Sequence, residues 1–156
     1  MTAFRTTHRV AFTPLQMFDL VADVEQYPQF LPLCEMLSVR KRERDGRRTI
    51  LIADMTVGYK ALRQTFTSRV ELDAARLAVH AQTVPEYPSG PFRSLSNDWR
   101  FLPAPAGCDV AFAIAYEFKS LALGVLVGNL FDRVFRRYTR AFEERALSVY
   151  GAGEGA

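Results

Sequence analysis

Two cysteines and two histidines in 156 residues leave little from which to build a metal centre or a disulfide scaffold. Cys34 and Cys108 lie far apart, with no Cys-x-x-Cys pair and no clustered histidine, so a reduced, intracellular chain without a metal site is expected. Catalytic signatures are missing too. There is no Gly-x-Ser-x-Gly, His-Glu-x-x-His, phosphate-binding loop or Gly-x-Gly-x-x-Gly, and no evident nucleophile with its base. The chain therefore reads as a binding protein, not an enzyme. Long hydrophobic runs are also lacking. The most apolar stretch, Leu121 to Val127, is seven residues, against the roughly 20 that a membrane span needs. The opening MTAFRTTHRV reaches arginine too soon for a secretory signal. A cytoplasmic protein is expected, one that touches the inner membrane from the side if it touches it at all.

What is present is a globular composition, 49% hydrophobic and 24% charged with a net charge of +3, and no internal repeat. The length suits one domain, residues 1–150, followed by a Gly/Ala-rich tail, 151–156, that should fray. The charge permits an anionic partner without requiring one.

Strand-like alternation dominates. Phe4, His8, Val10 and Phe12 share one face of a first strand, with Arg5, Thr7 and Arg9 on the other. Thr13-Pro14 supplies a helix start for Leu15 to Ala22. Leu33 to Arg42 and Arg48 to Val57 flank Asp45-Gly46, a hairpin signal. Leu62, Gln64, Phe66, Ser68, Val70 and Leu72 then fall on one face, a strand through Leu77, Val79 and Ala81 follows, and Arg93 to Leu102 and Cys108 to Lys119 complete the set. Six consecutive strands joined mainly by short turns predict an antiparallel sheet, with the first strand at an edge. One long helix, Leu121 to Val149, is left to cover its apolar face, stopped by Gly151. The expected class is α+β, a curved sheet of about seven strands wrapped around a C-terminal helix.

That helix has two unlike halves. From Val127 onward an apolar stripe runs through Phe131, Val134, Phe135, Tyr138 and Phe142, with Arg133, Arg136, Arg137 and Arg140 on the remaining circumference. These arginines are either a solvated face or a patch for RNA or anionic lipid. The first half, LALGVLV, is apolar all round and should be covered on nearly all sides. Gly124 and Gly128, one turn apart, imply a close approach, either by a strand side chain such as Trp99 or Phe112 or by a ligand cavity. His8, Gln64, Ser68 and Asn97 are polar residues on apolar faces; they either satisfy one another or meet a ligand head group. His80, with Ala78 and Gln82, is expected outside.

The segments YPQFLPLC (Tyr27 to Cys34), PFRSLSNDWRF (Pro91 to Phe101), YEFKS (Tyr116 to Ser120) and FEERA (Phe142 to Ala146) resemble the coenzyme Q-binding START-domain proteins and their bacterial relatives, which include a ribosome-association toxin. The resemblance runs over nearly the whole chain, although Leu33 stands where many relatives have tryptophan. It implies a helix-grip fold (START/Bet v-like) with an apolar cavity, and non-catalytic binding of ubiquinone or a similar isoprenoid lipid in support of respiration. No covalent cofactor is implied. In the toxin branch the implied partner is the ribosome. On this reading Tyr27, Phe30, Leu31, Tyr87 and Phe92, from the proline-rich loops Val24 to Leu33 and Val84 to Phe92, form an oily rim at the cavity mouth. Phe66, Trp99, Phe112, Tyr116, Gly124, Gly128 and Phe131 line the interior.

Overall fold

Period-two alternation becomes seven antiparallel strands in the computed structural model, which describes residues 2–151. The strands are β1 (Thr2–Val10), β2 (Cys34–Asp45), β3 (Arg48–Tyr59), β4 (Leu62–Asp73), β5 (Ala78–Thr83), β6 (Phe92–Ala104) and β7 (Gly107–Phe118). Their order across the sheet is β1-β7-β6-β5-β4-β3-β2, so each neighbour follows the last in sequence except β1, which pairs with β7. There Val10 lies opposite Cys108 and Thr2 opposite Tyr116. The sheet is curved, and the apolar faces read from the sequence turn inward, with Phe66, Ser68, Val70 and Leu72 of β4 all buried. The tail beyond residue 151 lies outside the described residues.

Turn chemistry fixes the register. Gly46 sits at φ +64° in the β2–β3 turn, the left-handed region where glycine is the least strained choice. In the β6–β7 turn a Cβ on Gly107 would meet the carbonyl oxygen of Val10 at 1.9 Å, so only glycine lets β1 reach the sheet edge. Helix α1 (Pro14–Ala22) opens with a capping box: Thr13 Oγ1 accepts from the Gln16 amide at 3.1 Å, and Gln16 Oε1 accepts from the Thr13 amide at 2.9 Å. The Val24–Gln29 segment is a short 3-10 helix, not an irregular loop.

The C-terminal helix departs from expectation twice. First, it is two helices, α2 (Leu121–Arg136) and α3 (Tyr138–Tyr150). Arg137 drops out because its amide donates to Val134 O at 3.0 Å, a tightened turn, before Ala141 resumes normal spacing by donating to Arg137 O at 2.9 Å. Phe135 and Tyr138, either side of the break, pack edge-on at 5.4 Å. Second, the opening turns of α2 are not covered. Leu121 is 91% exposed, Val125 87% and Leu126 74%, and Val127 is the first buried residue. The helix starts two residues after β7 ends, capped by Ser120 Oγ, which accepts from Leu123 N at 3.1 Å, and no element lies across from those side chains. The ring nearest Gly124 and Gly128 is that of Phe118, the last residue of β7, which folds beneath the helix it leads into. It stands 3.6 and 3.8 Å from where their Cβ atoms would be. Trp99 and Phe112 instead pack on each other, centroids 4.3 Å apart.

Candidate functional site

Side chains two apart on successive strands share one face, so Met55 of β3, Phe66, Ser68 and Val70 of β4, Val79 and Ala81 of β5, Leu95, Asn97 and Trp99 of β6 and Ile114 of β7 form one concave wall. Phe135, Tyr138 and Phe142 form the opposite wall, and Val24, Tyr27 and Leu31 close one end. Between them lies an apolar cavity of about 70 Å³. That is room for a few waters, well below the roughly 300–1,000 Å³ of typical small-molecule sites.

Polar groups on this surface are few. Ser68 and Tyr138 are buried and Asn97 is half-buried; all three line the cavity, and their side chains hydrogen-bond no other protein group among the described residues. They do not satisfy one another. Tyr27 differs, because its hydroxyl donates to the Val21 carbonyl oxygen. Burial pushes the phenols of Tyr27 and Tyr138 well above their ordinary value, so both stay protonated donors. The same cause pushes the Cys34 thiol up to about 12.

Of the residues singled out from the sequence, the cavity gathers Tyr27, Leu31, Phe66, Trp99, Ser68 and Asn97. Phe92 lies instead in an aromatic cluster with Phe66, Phe118 and Phe131, with centroids 5.3 to 5.5 Å away, that fastens α2 to the sheet. Tyr116 joins that cluster through Phe135 at 5.1 Å. Phe112 packs between Trp99 and Phe4. Gly124 and Gly128 face Phe118, away from the cavity. The two loops form no common rim. Phe30 rests on Phe142 at 5.1 Å, whereas Tyr87 lies beneath the Arg40 guanidinium at 5.4 Å. Gln64 lies in a separate small hollow beside Leu130 and Phe131. His80 is half-exposed, held by Asp98 at 2.6 Å and Gln82 at 2.9 Å.

The residues that sequence reading missed include Phe135, Tyr138 and Phe142 on the helices and, on the strands, Leu37, Ala53, Met55, Val70, Val79, Ala81, Leu95 and Ile114, with Val24 at the closed end. The helix stripe did contain the first three, at spacings of three and four; what it lacked was a sign of which part of the stripe meets the hollow.

A second concavity lies outside the core. His8, Phe30, Pro32, Arg136, Arg137, Thr139, Arg140 and Glu144 surround an open groove of about 650 Å³. His8 faces the helices as expected, but its Nε2 meets Glu143 Oε1 at 2.7 Å and it does not reach the cavity. Arg136 is committed to Asp132 at 3.1 Å and covers the Phe4 ring at 4.3 Å. Among the described residues Arg133, Arg137 and Arg140 form no ion pair, and Arg133 stands outside the groove.

The model of the family described as "Polyketide cyclase / dehydrase and lipid transport" matches residues 10–143, a span that contains every residue of the cavity. The chain belongs to this family. Within it, the chain is 30% identical over 149 residues to the ribosome association toxin RatA of Rickettsia prowazekii, covering 96% of this chain and 99% of that protein. It is 29% identical over 149 residues to the mitochondrial coenzyme Q-binding protein COQ10 homolog B of Xenopus laevis, covering 93% of this chain and 58% of that one. Neither name is that of an enzyme. A START superfamily protein from Mycobacterium smegmatis superposes with a TM-score of 0.76 at 20% identity, over 94% of this chain and 98% of that one, which shows the shared helix-grip fold. No helix among the described residues is long and apolar enough to cross a membrane.

Proposed function

We propose that the protein holds an isoprenoid lipid of the ubiquinone class between sheet and helices, without turning it over, in support of quinone-dependent electron transport. The observation that carries this reading is the trio Ser68, Asn97 and Tyr138, polar side chains that line an otherwise apolar cavity. All three offer hydrogen-bond donors where a quinone head offers only acceptors. The similarity to a coenzyme Q-binding protein agrees with that chemistry. At about 70 Å³ the cavity must expand to admit a head group. Val24, Tyr27 and Leu31 on one side and Tyr138 and Phe142 on the other are the residues that would have to part. Each methylene then buried contributes about 0.8 kcal/mol toward that opening. Organic extraction of protein purified from quinone-containing cells, read by mass spectrometry, should recover the lipid. Lipid-free protein that also fails to bind a decyl-tailed ubiquinone in titration would overturn the reading.

A second reading has its own observation. Arg137 and Arg140, unpaired among the described residues, stand with Arg136 around an open groove of about 650 Å³, and the chain is similar to a ribosome association toxin. On this reading the groove binds ribosomal RNA and hinders subunit joining. The double change of Arg137 and Arg140 to glutamate should abolish co-sedimentation with ribosomal subunits; unchanged sedimentation would remove the groove from any such role. Under both readings the protein works in the cytoplasm.

A further inference from the structure

Leu121, Ala122, Val125 and Leu126 form a contiguous apolar patch over the first two turns of α2, exposed where a soluble helix normally turns such residues inward. The same face continues through Asn129 to the exposed Arg133 and Arg136. At 1.5 Å per residue, the seven positions from Leu126 to Arg133 place a cation about 10 Å behind the apolar tip. Lys119 is exposed just ahead of the helix. Beside α2 lies the β3–β4 turn, whose Tyr59 shares a small hollow with Leu130 and Phe131 and is 44% exposed, with Lys60 Nζ 5.3 Å from its ring centre. The nearby carboxylates are already engaged: Asp132 by Arg136, Glu117 by Arg93 and Glu35 by Arg63. Lys60, Lys119 and Arg133 form no ion pair among the described residues.

We infer that this tip is a membrane-docking element that inserts Leu121, Val125 and Leu126 into the surface of an anionic bilayer. Interfacial helices bury an apolar face some 5–10 Å deep while cations at its margin reach lipid phosphates, the arrangement that Lys119 and Arg133 give on either side of the exposed apolar turns. Tyrosine and lysine are the side chains suited to the headgroup level on the flank. A second copy of this chain meeting the same patch across a two-fold axis would set Lys60, Lys119 and Arg133 against their own counterparts, like charge against like. Docking brings a lipid-binding fold to the phase where its cargo dissolves, yet it needs no ligand in the cavity and is measured without one.

The test is flotation of the full chain with mixed phosphatidylglycerol–phosphatidylcholine vesicles and with phosphatidylcholine alone. The wild-type protein should float with the anionic vesicles and much less with the neutral ones, with binding weakened by salt. L121E/V125E/L126E should lose on the order of tenfold or more of that binding, and Lys60→Glu with Lys119→Glu should erase the preference for anionic lipid. Neither variant should change the melting temperature or the titration with a decyl-tailed ubiquinone, which keeps this outcome separate from that of the ligand reading. Should the triple variant unfold, Leu126→Trp replaces it: vesicles should shift the added tryptophan's emission to the blue, since Trp99 is buried throughout. No shift, full flotation of a folded triple variant, or a wild-type dimer that the triple variant dissociates would each overturn the inference.

Discussion

Tyr27 and Tyr138 are both buried phenols at the cavity, and removing their hydroxyls should have opposite consequences. Tyr27 donates to the Val21 carbonyl, so Tyr27→Phe leaves a buried acceptor unpaired and should cost about 1–3 kcal/mol of stability in denaturant titration. Tyr138 gives its proton to no protein group, so Tyr138→Phe should leave the empty protein as stable as before or slightly more so. Quinone affinity should instead fall roughly tenfold, the worth of one hydrogen bond of about 1–1.5 kcal/mol. The thiols add a pH dependence. Burial raises Cys34 from its ordinary 9.0 to about 12 and Cys108 to about 11, so folding disfavours both thiolates. The stability this represents is complete below pH 9 and is lost as pH climbs toward those values. Native protein should react slowly with a disulfide reagent at pH 8 and fast once unfolded, and Cys34→Ala should flatten the alkaline fall in stability.

At the scale of elements, Gly124 and Gly128 were expected to mark a tight contact, yet an added Cβ would meet Phe118 only at 3.6 and 3.8 Å, ordinary packing distances. Gly124→Ala and Gly128→Ala should therefore each stabilise α2 by up to about 1 kcal/mol, whereas Gly107→Ala, with Val10 O at 1.9 Å from its Cβ, should disrupt the β1 edge. Thermal denaturation of the three variants separates the two classes. The contrast explains what could be read from the sequence. Strand faces were legible because alternation at Leu62 to Leu72 has a single period that burial enforces from Phe66 onward, although Thr67, expected to face water, is buried on the opposite face, where its hydroxyl donates to Asp54. The Asp45-Gly46 turn was legible because its backbone geometry demands particular residues. The break at Arg137 was not, since neither proline nor glycine marks it and apolar spacing continues across it. Nor was the identity of the ring beneath the glycines, because a pattern tells which residues turn inward but not which of Trp99, Phe112 and Phe118 stands opposite a given turn. LALGVLV misled for a different reason: all-round apolarity states a need for cover without saying that the cover lies in the same molecule.

For the molecule as a whole, ligand and fold are linked. A quinone that binds only the folded chain should raise stability by about 2.7 kcal/mol at a hundredfold excess over its Kd, seen as a concentration-dependent rise in melting temperature that Tyr138→Phe blunts. Of the candidate lining, Phe66, Ser68, Asn97 and Trp99 were foreseen on strands and Tyr27 and Leu31 on the proline-rich segment; Phe92, Tyr116 and Phe131, also expected there, stand in the packing that holds α2 down, and Phe112 packs between Phe4 and Trp99. Composition cannot distinguish a ring that lines a hollow from one that fills it.

The pairing of β1 with β7 also governs how the protein is made. β1 finds its partner only when the segment Cys108–Tyr116 has followed it out of the ribosome, about 5–20 s later at roughly 5–20 residues per second. Until then the nascent chain carries an unclaimed strand and a growing sheet with an open margin behind it, the state in which a chaperone would most readily engage it.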